Sequence, residues 1–232
     1  MMRKLSIIEN LMPRIKIFLK VCLRPNHKLS IVSRMKPQNI LDVGCGHAGA
    51  FEVKLLSRDT KYTGVDICDY KQTCKNKLLM DEYIVTNPEA FHSTISDIKE
   101  CFSLVISCHN FEHVNDRHAT LLAMCGAVAP DGILFMAFPS SNSVDFPKRK
   151  GTLNYFDDVT HSQPPPNLQE IRDIVLKSDF SQVFVSKNYS PLFLRLVGLF
   201  LEPVSKFLGK KMPGSWEYYG FETIVVFKRS TS

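Results

Sequence analysis

Apolar residues along this chain fall into short dense runs, separated by stretches in which they recur at helical spacing. The dense runs predict seven β-strands, at 39–43, 62–67, 82–86, 103–107, 133–138, 182–186 and 223–227. The helical spacing predicts helices over 3–24, 48–57, 117–128 and 167–178. Strands that alternate with helices are typical of an α/β fold, in which a mostly parallel sheet carries helices on both faces.

The predicted strands begin only after residue 37, so the chain divides into a basic helical extension, 1–36, and a domain, 37–232. We expect Pro13 to begin or break the helix of the extension, because proline donates no backbone hydrogen bond. Within the domain, 140–166 and 189–215 are too long to be simple connections. We interpret both segments as insertions on the substrate side or on the surface.

Charge is unevenly distributed along the chain. Residues 1–36 hold nine Lys and Arg against the single acid Glu9, and 187–232 are also basic, whereas 37–186 carry a net negative charge. An acidic centre argues against a nucleic-acid groove. The basic ends suit an anionic membrane surface, with a solvated basic helix as the equal alternative.

The amino-terminal apolar residues are interrupted by charges, and no apolar run reaches the roughly 18–20 residues that span a bilayer. We therefore expect neither a signal peptide nor a membrane span, and we predict a cytoplasmic protein, with peripheral contact at the inner membrane surface as a hypothesis. The seven cysteines form no C-x-x-C pair. We interpret them as small buried apolar residues, and we predict no metal site.

A glycine-rich turn follows the first predicted strand. The sequence ILDVGCGHAG over 40–49 places Gly44, Gly46 and Gly49 as G-x-G-x-x-G between a strand and a helix. Glycine permits positive φ and close backbone approach, and a helix start offers N–H groups to an anion. Asp66 ends the second predicted strand, where a carboxylate can accept hydrogen bonds from ribose hydroxyls. This pattern fits both nicotinamide and S-adenosylmethionine cofactors.

Four segments narrow that choice by resemblance to a known family. The turn D-V-G-C-G over 42–46 resembles motif I of class I S-adenosylmethionine-dependent methyltransferases, and YTGVDI over 62–67 resembles their second-strand motif. SLVISCHNFEHV over 103–114 and the helix, turn and strand of 125–139 resemble their fourth-strand and fifth-strand segments. The resemblance implies a Rossmann-like seven-stranded fold and S-adenosyl-L-methionine as the cofactor.

The resemblance also implies where the cofactor lies. Gly44, Cys45 and Gly46 would approach its methionine part, and Asp42 would orient their turn.

At the other end of the cofactor, Asp66 would hold the ribose and Ile67 would pack on the adenine. Asn87 stands where many relatives have an aspartate that meets the adenine amino group, a departure that an amide oxygen can tolerate. Cys108 and His109 would border the sulfonium.

Two histidines are candidates for acid–base chemistry. Methyl transfer needs mainly orientation, but a hydroxyl acceptor also needs a base, and histidine suits neutral pH. His113 follows Glu112 in the E-H-V segment, where a structural role is the alternative. His161 lies in a segment that resembles the D-x-T-H-x-x-P of some methyltransferases linked to bacterial surface-polysaccharide synthesis, which favours a sugar hydroxyl or another glycan acceptor.

Other interpretations stay open on the sequence. A quinone or lipid methyltransferase has the same cofactor motifs, and so does a methyltransferase-like binding subunit without activity. A nicotinamide-dependent oxidoreductase needs the same turn and Asp66, but no hydride-transfer set is recognisable. The motifs specify neither the acceptor molecule nor the oligomeric state.

Overall fold

A computed structural model describes residues 2–69 and 72–231, with side chains described from residue 12 onward. Its seven strands form one sheet in the order β3-β2-β1-β4-β5-β7-β6, in which β7 runs antiparallel to both neighbours. The strands are β1 Asn39–Val43, β2 Lys61–Asp66, β3 Glu82–Val85, β4 Phe102–Cys108, β5 Val128–Pro139, β6 Phe180–Tyr189 and β7 Glu222–Arg229. The predicted Rossmann-like, mostly parallel sheet is confirmed.

Helices pack on both faces of this sheet. They are α1 Met2–Leu23, α2 Lys28–Met35, α3 Gly49–Leu56, α4 Cys74–Lys77, α5 Phe91–Asp97, α6 Arg117–Ala127, α7 Leu168–Val175, α8 Leu192–Leu208 and α9 Ser215–Tyr219. Side chains alternate between the faces along each strand. In β1, Leu41 packs with α5, α6 and α7, whereas Ile40 packs with α2 and α3.

The amino-terminal helices differ from the prediction in two ways. α1 continues through Pro13 and is not broken by it, at the cost of the hydrogen bond that proline cannot donate. α2 is a second helix that the prediction did not include, and its Leu29, Ile31 and Val32 are buried against the domain. The division at residue 36 stays a prediction.

The turn before the fifth strand lies inside the strand. Val128 already pairs with Phe102, and pairing resumes at Ile133 with Leu104, so the residues between them form a bulge. Asp131 adopts a φ of 60° there. The strand was predicted to start at 133, because proline and glycine usually end an element, whereas a bulge accommodates both.

The segment 140–166 is an ordered insertion. It contains two 3₁₀ turns, Ser141–Asp145 and Tyr155–Asp157, with Tyr155 fully buried. The Asp157 carboxylate accepts hydrogen bonds from the backbone N–H groups of Arg149, Leu153 and Asn154. These bonds fold the segment back on itself.

Candidate active site

The glycine-rich turn has the conformation that its sequence predicts. Gly44 and Gly46 have φ values of 74° and 54°, which glycine adopts without strain. The N–H of Gly44 donates to Val65 O of the neighbouring strand at 2.8 Å, which ties the turn to β2. A Cβ added to Gly46 would meet no described atom within 4 Å. Open space against Gly46 fits the close approach of a ligand.

Asp66 lies directly beside this turn. Its carboxylate accepts from Gly46 N and Ile67 N, both at 2.8 Å, and the side chain is buried. Burial raises the pKa of Asp66, the two backbone bonds oppose that shift, and the nearby Asp42 adds to it. Each carboxylate oxygen keeps a further lone pair, so Asp66 can accept bonds from ribose hydroxyls while holding the turn.

Asp42 is placed under the turn. Its Oδ2 accepts from the Tyr62 hydroxyl at 2.6 Å, and its Oδ1 is buried without a hydrogen-bond partner among the described residues. A Cβ added to Gly49 would lie 2.3 Å from that hydroxyl and 2.7 Å from the carboxylate. Asp42 therefore contacts the start of α3 through the space that Gly49 leaves. The predicted orienting role stays a prediction, with Tyr62 as its unpredicted partner.

Cys45, Ile67 and Asn87, three further residues predicted to contact the cofactor, differ in burial. The Cys45 thiol is buried 3.9 Å from Asp66 Oδ2, and Ile67 packs half-buried against the core cluster that contains Leu41. Asn87 is exposed, and its side-chain oxygen accepts from Ala90 N at 2.7 Å. That bond occupies a lone pair that was assigned to adenine, so the adenine role of Asn87 stays a prediction.

Two side chains that the motifs did not single out cover the turn. A Cβ on Gly44 would lie 2.2 Å from Asn110 Cγ, so Asn110 from the loop after β4 packs directly on this glycine. Gln72 donates its side-chain amide to Gly46 O. Both residues belong to loops, whose conformation sequence periodicity does not predict.

Cys108 and His109 lie at the end of β4 within a buried polar cluster. His109 Nε2 is 2.8 Å from Glu222 Oε1, and its Nδ1 is 3.4 Å from Glu112 Oε1. Burial alone would lower the pKa of His109, but these two carboxylates raise it well above its ordinary value. The ring also stacks near Trp216, with centroids 5.0 Å apart. The side chain is thus held by β7 and α9, and its contact with a sulfonium stays a prediction.

The linker between α1 and α2 completes that cluster. Arg24 Nη2 lies 2.7 Å from Glu217 and 3.2 Å from Glu222, and His27 Nε2 is 3.5 Å from Glu222. Burial would raise the pKa of Cys108, but positive charge on Lys28, the hydrogen bond from His27 and His109 lower it. No motif or periodicity predicts this contact between residues so far apart along the chain.

The structure brings His113 and His161 together. Their ring centroids are 4.7 Å apart, although one follows β4 and the other lies in the 140–166 insertion. His113 Nδ1 is 3.1 Å from Thr160 Oγ1, and that hydroxyl is 2.6 Å from Asp158 Oδ1. His161 Nδ1 faces the carbonyl of Tyr155, whose ring stacks on the imidazole at 4.1 Å.

Among the described residues, two groups bring metal-ligand atoms within 4.8 Å of one another, namely His27 with Cys108 and Glu222, and Glu112 with His113 and His161. Arg24 and His109 already neutralise Glu222, and His109 lies beside Glu112. A cation added to either group would meet positive charge. These neighbours favour the acid–base interpretation of the histidines.

A family model described as a methyltransferase domain matches residues 18–183. None of the curated proteins matches the sequence.

Solved methyltransferase structures share the fold at low sequence identity. The plantazolicin methyltransferase BpumL in complex with SAH is 17% identical with a TM-score of 0.60, covering 98% of this chain and 90% of that one. A putative methyltransferase in complex with the Trm112 activator of Haloferax volcanii is 12% identical with a TM-score of 0.58, covering 99% and 94%. The N-methyltransferase NodS from Bradyrhizobium japonicum WM9 in complex with SAH is 13% identical with a TM-score of 0.52, covering 86% and 83%.

The matched span runs from α1 into β6 and includes the glycine turn, Asp66 and both histidines. The motifs in this span resemble those of class I enzymes, and the sheet has the Rossmann-like architecture that the resemblance implies. S-adenosylmethionine is the methyl donor of that class. The chain therefore belongs to the methyltransferase domain family, within the class I S-adenosylmethionine-dependent methyltransferases.

Proposed function

We propose that this protein methylates a hydroxyl oxygen of a small-molecule or glycan acceptor, with His113 and His161 handling the acceptor proton. The observation that carries the proposal is the hydrogen-bonded arrangement of His113, Thr160 and Asp158. An imidazole held in one orientation can accept the proton of an acceptor hydroxyl, which proximity alone does not remove.

The arrangement fixes which nitrogen of His113 can act as a base. The single hydroxyl proton of Thr160 is donated to Asp158 at 2.6 Å, so Thr160 must accept from His113 Nδ1–H. Nε2 of neutral His113 then carries the lone pair. Burial lowers the pKa of His113, Glu112 opposes that shift, and the neighbouring His161 adds to it. His113 is therefore neutral at pH 7 and ready to accept a proton.

His161 is oriented by a different contact. A carbonyl oxygen can only accept, so His161 must donate its Nδ1–H to Tyr155 O, and Nε2 is the nitrogen that can take a proton. Stacking on the buried Tyr155 ring fixes the plane of the imidazole. Nε2 is thus the nitrogen that can accept a proton in both histidines, whose ring centroids are 4.7 Å apart.

Asp66, Gly44 and Gly46 would hold the cofactor. When bound, S-adenosylmethionine supplies a methyl group whose transfer to the acceptor oxygen leaves the C–S electron pair on sulfur. The acceptor O–H proton passes to Nε2 of the base, so charge and atoms balance. Orientation by the site can supply roughly 7–11 kcal/mol at best, and a base about 10²- to 10⁴-fold in rate.

The acceptor class follows from the insertion that carries His161. This segment resembles that of polysaccharide-linked methyltransferases, and its fold exposes Thr160 beside the histidine pair. A sugar hydroxyl is our proposed acceptor group, and a quinone or lipid hydroxyl is the alternative.

Labelled methyl transfer from S-adenosylmethionine to nucleotide sugars, lipid-linked glycans and quinones tests the proposal. We expect His113→Ala and His161→Ala to lower kcat while donor affinity stays within about twofold of wild type. His92→Ala on α5 is the matched control, with no expected loss. If both histidine variants keep kcat within a few-fold on the identified acceptor, the base assignment is wrong.

We also propose that the protein acts in the cytoplasm at the anionic inner membrane surface. The support is the basic α1, in which Arg14 and Lys16 are exposed. Charge reversal at these two positions should weaken binding to anionic vesicles, and salt should weaken it in wild type. Deleting residues 1–30 is a poor test, because it removes Arg24 and His27 from their buried contacts with Glu222.

A further inference from the structure

The most unusual surface of the molecule is the outward face of α8. A helix on a domain surface normally turns its apolar stripe inward and its charges outward. α8 departs from this pattern, because its exposed positions are mostly large and apolar. They are Leu192, Phe193, Leu196, Leu199, Phe200, Val204, Phe207 and Leu208.

The two buried positions of α8, Gly198 and Ser205, are small. Gly198 is buried against α9, where an added Cβ would lie 2.1 Å from Gly214 O. Ser205 is fully buried and accepts from Arg149 Nη1 at 2.6 Å. Glu202, one turn away, binds the same guanidinium through two bonds of 2.6 and 2.8 Å. These contacts fix the rotation of α8 about its axis, so the apolar face cannot turn inward without breaking a buried ion pair.

Two phenylalanines of this face are largely exposed to solvent. Phe200 is 78% exposed and Phe207 is 88% exposed, although each would gain free energy from leaving water. Soluble proteins rarely expose a contiguous apolar patch of this kind unless it binds something. The face therefore has a partner.

Charge decides which partner. Arg195 and Lys206 are exposed at the border of the apolar face, and Lys210 follows directly after α8. The single acid of α8, Glu202, is withdrawn into its pair with Arg149. Two copies packed through this face would bring like charges together without an acidic partner. An anionic lipid surface instead offers phosphates to the basic rim and acyl chains to the phenylalanines.

We propose that α8 docks in the plane of an anionic lipid bilayer, with its apolar face in the headgroup and acyl boundary. At 17 residues the helix is about 25 Å long. Among the described residues no helix meets the length and hydropathy needed to cross a bilayer. This inference deepens the proposed membrane location, because it assigns the contact to a specific surface other than α1.

Vesicle flotation with the full-length chain tests the docking. The vesicles are phosphatidylcholine alone or mixed with phosphatidylglycerol, and neither cofactor nor acceptor is added. We expect wild type to bind the mixed vesicles, and Phe200→Ser/Phe207→Ser to lower the partition coefficient by at least about tenfold. Leu78→Ser removes a side chain that is 85% exposed outside α8, and it should bind like wild type.

The measurement separates this inference from the proposed function, since binding is read without methyl transfer. Thermal unfolding and donor affinity of the α8 variant should match wild type, which shows that the fold and the cofactor site are intact. Failure of wild type to float with the mixed vesicles overturns the docking. A wild-type dimer that the α8 variant converts to a monomer also overturns it, because a second copy would then cover the face.

Discussion

Thr160 Oγ1 lies 3.1 Å from Nδ1 of His113, and this contact sets the tautomer of the imidazole. Thr160→Val removes the acceptor and leaves the side-chain volume nearly unchanged. We expect kcat to fall about 2- to 12-fold, which corresponds to one hydrogen bond of roughly 0.5–1.5 kcal/mol, with donor affinity unchanged. Thr160→Ser should restore activity. Full activity of the valine variant would show that Thr160 does not position the base.

Asp66 supplies a second prediction, for the donor. Asp66→Ala should weaken S-adenosylmethionine binding by about 10- to 150-fold, the equivalent of roughly 1.5–3 kcal/mol for hydrogen bonds to a charged group. Asp69→Ala is the matched control, because it removes an exposed carboxylate on the same loop, one that pairs with Lys77. Isothermal titration with a parallel thermal melt separates lost binding from lost fold. Unchanged affinity in a folded variant contradicts the ribose role.

The pH dependence of donor affinity should differ from that of kcat, because Asp66 controls the first and His113 the second. The pKa of Asp66 is raised above the ordinary 3.8, and only the carboxylate accepts hydrogen bonds from both ribose hydroxyls. Donor affinity should therefore be full at neutral pH and fall as the pH drops through this raised pKa. Titrations of wild type at a series of pH values check this, and an Asp66→Asn variant should lose the dependence.

His113 should control the acid limb of kcat. Its pKa is lowered from 6.5, and the base must be neutral, so activity is present above the lowered pKa and lost below it. At saturating donor we expect the limb to lie below pH 6.5 in wild type and to disappear in His113→Ala. A limb that persists unchanged in that variant assigns the titration to another group.

Packing around Gly49 gives a stability prediction. A Cβ there would lie 2.3 Å from the Tyr62 hydroxyl, so Gly49→Ala should destabilise the fold by about 1–3 kcal/mol. Gly126→Ala, in α6, meets nothing within 4 Å and should stabilise by roughly 0.4–1 kcal/mol. Denaturant melts of the two variants should therefore shift in opposite directions.

The cofactor side of the site was predictable because it depends on strand ends. β1 and β2 are parallel neighbours, so a turn after one and a carboxylate at the end of the other must meet, as Gly46 and Asp66 do. The same reasoning cannot bring His161 to His113, because their contact depends on how the 140–166 insertion folds. Hydrogen bonds to Asp157 determine that path, and no periodicity reports them.

The helix α8 shows a different limit of sequence reasoning. Its spacing reveals an apolar face but not the direction in which that face points. Direction is decided by Arg149, a residue of another segment that draws Glu202 inward. The break expected at Pro13 was wrong, because a helix can continue through one missing hydrogen bond.

Arg149 also connects two distant parts of the molecule. Its backbone N–H donates to Asp157, four residues before His161, and its guanidinium donates to Glu202 of α8. These bonds connect the helix that we propose lies on the bilayer to the histidine that we propose takes the acceptor proton. We therefore expect docking through α8 to hold the proposed acceptor site at a constant height and tilt above the lipid surface.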